Sequence, residues 1–260
     1  MTSTIDESIL KHFGGIKRNN LKEIFLNCDD LEKTIDIISH SPYIETENIC
    51  NYLKDFIDDF TVLTLNIQSL NAKFNQFKIF IELLSTNNIY FSAICLQETW
   101  VSGQVPDFSP FELHNYNIIS LGATCSSHSG LAIYIHTNYS YKLRNLYRES
   151  HLWEGIFIDI HSEAPTKKIT LCNLYRPPKD SNNDISDFIN DITPIIERLS
   201  NESSNLVFVG DINIDLLTIP TRLKYNEYFD LLLNNGLVPF ISLPTRLGTR
   251  SATLIDHIFL

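Results

Sequence analysis

Nine short apolar runs, rich in β-branched and aromatic residues, follow one another from Thr61 to the end of the chain. They read TVLTLNI, IYFSAICL, YNIISL, GLAIYIH, YSYKLRNLY, GIFIDIH, KITLCNLY, NLVFVG and LIDHIFL. Runs of this length and composition predict β-strands.

Three longer segments space their apolar residues three and four positions apart, as amphipathic helices do. They cover residues 71–88, 184–201 and 223–236, and Asn235–Gly236 is a typical C-terminal stop for the last one. Nine strands with three helices are too many strands for a simple doubly wound sheet. The pattern therefore predicts an α/β fold in which two packed sheets carry helices on their outer faces.

The first sixty residues differ from the rest of the chain in the spacing of their apolar residues. Residues 21–40 and 45–60 show helical spacing on either side of Pro42 and contain no chemical motif. We therefore divide the chain into a helical N-terminal extension of unknown role, residues 1–60, and a main α/β domain, residues 61–260.

The composition of the chain indicates which cellular compartment suits the protein. A chain of 260 residues with 43% apolar residues can bury a full core, and its five cysteines form no CxxC pair or zinc spacing, which favours a reduced, intracellular setting. No signal peptide and no membrane-spanning apolar stretch is visible, so we expect a soluble protein that is not secreted.

The net charge, 20 − 31 = −11, argues against a protein that coats nucleic acid. It does not exclude a nuclease, because a bound cation can supply the charge that meets a phosphate.

Several predicted strands end on polar residues of the kind that bind metal or phosphate. These residues are Asn66, Glu98, Tyr175, Asp211, Asn213, Asp256 and His257. Each can be an ordinary turn or cap residue. If the strands lie side by side, however, their ends can converge on one edge and form a single site.

The residue types limit the chemistry of such a site. Carboxylate oxygens are hard ligands that suit Mg²⁺ or Mn²⁺ better than zinc or copper, and the chain has no HExxH, GxxxxGK[ST] or GxSxG motif. A Mg²⁺ site beside a histidine and several amides is what hydrolysis of a phosphoester requires.

The motifs LTLNIQSL, LQETW, NLYRPP, VFVGDINIDLL, PTR and SATLIDHIF occur in this order between residues 61 and 260. Together they resemble the exonuclease–endonuclease–phosphatase superfamily, and within it the endonuclease domain of CR1- and jockey-like non-LTR retrotransposons. The resemblance implies a four-layer α/β sandwich of two mixed sheets and cleavage of a DNA phosphodiester that depends on Mg²⁺ or Mn²⁺. In such elements the nick in double-stranded DNA primes reverse transcription, so element RNA, a reverse transcriptase domain and a nuclear location are also implied.

The resemblance assigns roles to the first three residues of this set. Asn66 corresponds to the asparagine of the first strand, and Glu98 to the principal metal-binding glutamate. Tyr175 falls at the tyrosine placed near the scissile phosphate.

The same resemblance covers the last two motifs. Asp211 would orient or activate the water, and Asn213 would hold a phosphate oxygen. Asp256 and His257 match a C-terminal Asp-His pair, in which Asp256 lies close to the metal. His257 contacts the phosphate or shares in acid/base work.

The chain departs from the family pattern after the tyrosine, where Pro178 replaces a commonly found asparagine. Arg176 is a candidate replacement for the lost phosphate contact, although it can equally be a solvated charge. Thr245 and Arg246 are candidates for a DNA-facing loop. Ser251 either bonds within the site or caps the turn before the last strand.

Other interpretations remain open at this level. A superfamily phosphatase acting on lipids or nucleotides is one, and a decayed fragment that only binds nucleic acid or a protein is another. Trp100 is either a packing residue or part of the site, and packing is favoured. Since the chain ends at Leu260, directly after the last motif, we expect a fragment, a separately encoded remnant or a domain boundary.

Overall fold

The computed structural model describes residues 42–103, 105–147, 152–161, 168–178, 182–203 and 205–260. The strands are β1 Val62–Asn66, β2 Ala93–Gln97, β3 Tyr116–Leu121, β4 Leu131–His136, β5 Ser140–Tyr147, β6 Glu154–His161, β7 Lys168–Tyr175, β8 Leu206–Asp211, β9 Arg246–Leu247, β10 Ala252–Thr253 and β11 Asp256–Phe259. The α-helices are α1 Ile49–Leu53, α2 Leu70–Thr86, α3 Asn182–Glu202 and α4 Leu223–Asn234. Short 3-10 turns cover Thr46–Asn48, Lys54–Phe56, Ser109–Phe111 and Leu216–Thr221.

The larger strands form two mixed sheets. The four-stranded sheet has the order β1-β2-β4-β3, and its only parallel pair is β1 with β2. The five-stranded sheet has the order β11-β8-β7-β6-β5, and its only parallel pair is β7 with β8. The two-residue strands β9 and β10 form a small separate hairpin.

Three apolar clusters separate the layers. Side chains such as Ile133, Ile158 and Val209 pack between the two sheets. Helix α2 covers the outer face of the four-stranded sheet, and helices α3 and α4 cover the outer face of the five-stranded sheet. The order helix, sheet, sheet, helix confirms the predicted four-layer sandwich.

The apolar pattern placed the elements well. Each of the nine predicted runs contains a strand, and α2, α3 and α4 begin and end within two residues of the predicted segments. Gly236 has a φ of +77°, and its N–H bonds to the carbonyl of Leu233, so it ends α4 as expected. The hairpin β9–β10 was not predicted, because two-residue strands have no apolar period to detect.

The structure describes residues 42–60 of the N-terminal extension. The predicted helix at 21–40 lies outside the described residues, whereas 45–60 forms α1 flanked by two 3-10 turns. Ile49 and Leu53 pack against the cluster beneath α2. The boundary at residue 61 stays a prediction. Within the part of the chain that the structure describes, no helix is long and apolar enough to cross a membrane.

A buried polar pair joins the two sheets. Gln97 and Asn173 are both fully buried, and the Gln97 Nε2 donates to Asn173 Oδ1 at 2.6 Å. The Asn173 amide in turn donates to the carbonyls of Leu96 and Ala132, at 3.2 Å each. This network fixes the end of β2 against β7, next to the candidate site.

Candidate active site

The strand register brings five of the predicted site residues to one edge of the sandwich. Tyr175 pairs with Asp211, and Asp211 pairs with Asp256, so the three form one row across β7, β8 and β11. Asn66 ends β1 on the neighbouring sheet, and Glu98 directly follows β2. We call these five residues the rim.

Asn66 links the two sheets at the rim. Its Nδ2 donates to Glu98 Oε1 at 2.7 Å and to Asp211 Oδ2 at 2.6 Å. Because the amide has two protons, one for each carboxylate, it can hold both at once. The residues that the sequence placed at separate strand ends are therefore in direct contact.

The Gly-Asp pair at the end of β8 has a steric explanation. Gly210 has a φ of +151°, and a Cβ atom there would lie 1.9 Å from the carbonyl oxygen of Leu174. Only glycine fits this close approach of two strands. Two residues beyond Asp211, Asn213 adopts a φ of +53° and donates from Nδ2 to the Arg176 carbonyl at 2.8 Å. Asn213 thus lies beside the rim on a strained loop.

Negative charge accumulates at Asp211. Its side chain is fully buried, and burial together with the charge of Asp256 raises its pKa to about 7, although Arg246 and the Asn66 hydrogen bond oppose the rise. Burial also raises the pKa of Asp256. The Oδ1 of Asp211 has no hydrogen-bond partner in the structure. A buried carboxylate oxygen without a donor is energetically unfavourable unless a cation or water meets it.

The donor set at the rim fits a hard divalent cation. Glu98, Asp211 and Asp256 offer oxygens, and the unsatisfied Oδ1 of Asp211 is one atom that such an ion would satisfy. Among the residues that the structure describes, however, no three Asp, Glu, His or Cys side chains are already arranged as a metal cluster.

Tyr175 contributes a neutral phenol. The side chain is buried and hydrogen-bonded to Glu98, and its pKa is raised by burial first and then by the charges of Glu98 and Asp211. It therefore remains a hydrogen-bond donor at neutral pH.

His257 does not lie at the rim. Side chains alternate along a strand, and whereas Asp256 contributes to the rim, the imidazole of His257 is buried under α4. Its Nδ1 lies 3.1 Å from the Tyr228 hydroxyl, and its Nε2 lies 2.9 Å from the Ile214 carbonyl. Burial lowers its pKa to about 4, so the ring is neutral. Both nitrogens bond within the protein, and the expected phosphate contact does not occur in this geometry.

Arg176 is also placed differently from expectation. The side chain is 1% exposed, and Nη1 donates to the carbonyls of Ile212 and Asn213 at 3.3 and 3.4 Å. Its guanidinium lies 5.7 Å from the ring centroid of Phe188 on α3. The sequence suggested either a phosphate contact or a solvated charge for Arg176, and both expectations are wrong. Arg176 is buried and holds the loop that follows Asp211.

The β9–β10 hairpin supports the rim from the other side. Arg246 Nη2 lies 2.9 Å from Asp211 Oδ2, and the arginine side chain is 43% exposed. The Thr245 hydroxyl accepts the Asp256 N–H at 3.2 Å, so Thr245 orients Asp256. Ser251 is exposed in the hairpin turn, where its carbonyl accepts the Gly248 N–H, and this placement favours the turn role.

Two aromatic residues lie beside Glu98: Trp100, for which the sequence interpretation favoured packing over a place at the site, and His128, to which it gave no role. Trp100 Nε1 lies 3.3 Å from Glu98 Oε2, and the ring of His128 meets the Trp100 ring edge-on at 4.7 Å. The adjacency of Trp100 to Glu98 in QETW was a usable signal. His128 gave none, because it lies in a loop with no motif.

A four-layer sandwich with carboxylates at one edge of its sheets is the architecture of a nuclease and phosphatase family. Comparison with known protein families gives the same class. The model of the endonuclease/exonuclease/phosphatase family matches residues 63–260. The chain belongs to this family. The comparison with curated proteins found no match.

Solved structures share the fold at low sequence identity. An AP endonuclease from Leishmania major is 12% identical, with a TM-score of 0.59 over 87% of this chain and 89% of that one. A 3′ phosphatase from Neisseria, bound to a product DNA hairpin, is 17% identical, with a TM-score of 0.54 over 76% and 85%. A mannosyl-6-phosphatase from Bacteroides thetaiotaomicron is 14% identical, with a TM-score of 0.54 over 77% and 85%. At these identities the likeness establishes the fold alone.

Proposed function

We propose that the protein is a divalent-metal-dependent DNA endonuclease that hydrolyses a phosphodiester bond at the rim. The observation that carries the proposal is the contact of Asn66 with both Glu98 and Asp211, beside Asp256, at the end of two packed sheets. This arrangement concentrates carboxylate oxygens where a phosphate can approach from solvent. Enzymes of this superfamily typically depend on a divalent metal.

Glu98 and Asp256 would hold Mg²⁺, or Mn²⁺, at the rim. When bound, the ion would reduce the negative charge on the phosphoryl oxygens and promote ionisation of water. Asp211, which Asn66 and Arg246 hold in place beside Asp256, would orient the attacking water and accept its proton. Tyr175 would turn its O–H from Glu98 to a phosphate oxygen, and Asn213 would donate to another with its second amide proton.

Arg246 and His257 have different parts in this proposal. Arg246 is partly exposed beside Asp211 and can exchange its ion pair with Asp211 for one with an incoming phosphate. His257 takes no step, because both its ring nitrogens bond to protein groups. It holds β11 against α4 instead.

The finer proposal is that the enzyme nicks double-stranded DNA in the nucleus to prime reverse transcription of a retroelement. It is supported by the motifs LQETW, NLYRPP, PTR and SATLIDHIF, which resemble this group of endonucleases. Element RNA and a reverse transcriptase domain would be its partners. A 3′-hydroxyl at the nick, detected by direct extension with a DNA polymerase, is the expected product.

Nicking of supercoiled plasmid tests the proposed activity. We expect relaxation in Mg²⁺ or Mn²⁺, none in EDTA, and loss of activity in Glu98→Ala and Asp211→Asn. Lys78→Ala, an exposed change on α2, serves as the matched control. Binding of DNA without nicking in either metal would favour an inactive binding remnant. Hydrolysis of a phosphoinositide with DNA left intact would favour a phosphatase.

A further inference from the structure

The loop formed by residues 124–130 is held by one buried carboxylate. Glu154 is fully buried at the start of β6. Its Oε1 accepts the Thr124 and Cys125 N–H groups at 2.5 and 2.8 Å and the Ser129 hydroxyl at 2.8 Å. Its Oε2 accepts the Gly130 N–H at 2.7 Å. An exposed loop with this many bonds to one interior side chain has a fixed shape.

The fixed loop presents His128 beside the rim. The backbone N–H of Trp100 donates to the Ser129 carbonyl at 2.9 Å, which docks the loop on the segment after Glu98. His128 is exposed, Trp100 is half-buried, and their ring centroids lie 4.7 Å apart. We call these two side chains the aromatic platform.

The aromatic platform starts at Glu98, and this position indicates which part of a substrate it can contact. Trp100 donates from its indole nitrogen to Glu98, so the platform begins where the reacting phosphate would lie and extends away from it. Both Glu98 and Trp100 have positive φ angles, +53° and +57°, so the backbone is strained to hold these side chains here. Because the His128 imidazole is exposed at the tip of the anchored loop, it does not contribute to packing of the core.

We propose that the aromatic platform of Trp100 and His128 binds the nucleobase next to the scissile phosphate. Aromatic side chains stack on bases with little dependence on base identity, and a protein with a net charge of −11 benefits from contacts that do not depend on positive charge. This inference rests on the proposed function, because it places the base relative to a phosphate at the rim.

The test compares three substrates with wild type and two variants. Once a cleavage position has been mapped in a duplex oligonucleotide, the flanking nucleoside on each side is replaced in turn by a tetrahydrofuran abasic unit. For the intact substrate, we expect His128→Ala to raise KM about tenfold while kcat changes less than about threefold. On the substrate that lacks the contacted base, the same variant should differ from wild type by less than about twofold.

His114→Ala is the matched control, because His114 is exposed in the turn that precedes β3, at the sheet end opposite Glu98. It should leave both parameters unchanged. An unchanged KM in His128→Ala overturns the proposal, and so does an equal penalty on the intact and both abasic substrates.

Binding measured separately from cleavage distinguishes this inference from the proposed function. Fluorescence anisotropy of a labelled duplex in Ca²⁺ reports affinity without turnover. If wild type binds but never cleaves, no cleavage position is mapped, so binding is compared between a single-stranded oligonucleotide and a strand made wholly of abasic units. Weaker binding of His128→Ala to the first strand alone then supports base stacking by the platform, and the nuclease function fails. If wild type cleaves and His128→Ala behaves like wild type, the platform alone fails. If wild type does not bind DNA, both are wrong.

Discussion

At the scale of single residues, burial decides what each side chain in the site can do. Asp211 is an acid with a pKa near neutrality because it is fully enclosed beside Asp256, and Asn66 holds it in place. Burial has the opposite effect on His257, because it keeps the imidazole neutral. The Nε2 of this ring lies within hydrogen-bond distance of the Ile214 carbonyl. The motifs GDIN and IDHIF lie on paired strands, and they contribute a buried acid with a raised pKa and a structural histidine.

The raised pKa of Asp211 predicts how the stability of the metal-free protein depends on pH. Because the folded pKa, about 7, lies above the usual value of 3.8, the folded state binds this proton more tightly than the unfolded state. Asp211 therefore lowers stability progressively as pH rises from about 4 to about 7. We expect Asp211→Asn to raise the free energy of unfolding by about 2–4 kcal/mol at pH 8 and to have little effect at pH 4.

Urea unfolding in EDTA at the two pH values measures this difference. Asp230→Asn, at an exposed position on α4, is the control and should change neither value. Equal stability of wild type and Asp211→Asn at pH 8 would show that the carboxylate is not destabilised by its surroundings.

At the scale of elements, the apolar pattern predicted strands and helices but could not predict how they face one another. Polar residues at strand ends were visible in the sequence, and the register of β7, β8 and β11 then aligned Tyr175, Asp211 and Asp256. In LIDHIFL, apolar residues flank the Asp-His pair on both sides, so the pattern does not say which of the two faces the core. Arg176 was misjudged because its partners, carbonyls of the loop after β8 and a ring of α3, are distant in sequence.

The bond between Gln97 and Asn173 is the element-scale contact that aligns the two sheets below the rim. We expect Asn173→Ala to lower the free energy of unfolding by about 1–3 kcal/mol, because it leaves buried groups without partners. It should also slow nicking, since Glu98 directly follows Gln97 and Tyr175 lies two residues after Asn173. Thermal denaturation and plasmid nicking measure the two effects, with Asn117→Ala, exposed on β3, as control. A variant as stable and active as the control would contradict this role.

At the scale of the whole molecule, the N-terminal extension contacts the site indirectly. The Tyr43 hydroxyl donates to the carbonyl of Pro244 at 2.6 Å, and Pro244 directly precedes Thr245 and Arg246. Residues outside the matched family region, 63–260, thus contribute to the placement of the hairpin beside Asp211. Nothing in the helical spacing of this segment indicated such a contact.

Loss of this one hydrogen bond should weaken activity without unfolding the protein. We expect Tyr43→Phe to reduce nicking about two- to tenfold, because a single hydrogen bond of this kind contributes about 0.5–1.5 kcal/mol. Tyr52→Phe, which removes a hydroxyl from an exposed tyrosine on α1, is the matched control. Equal nicking rates for the two variants would mean that the extension does not influence the site.

The central claim is that the rim, and not His257, performs metal-dependent hydrolysis of a DNA phosphodiester. Its most direct test is the single-turnover cleavage rate of an end-labelled DNA duplex in Mg²⁺ for wild type, Glu98→Gln and His257→Gln, below the melting temperature of each. We predict a fall of at least about 100-fold in Glu98→Gln and a change within about fivefold in His257→Gln. Comparable loss in both variants, or a greater loss in His257→Gln, would contradict the account.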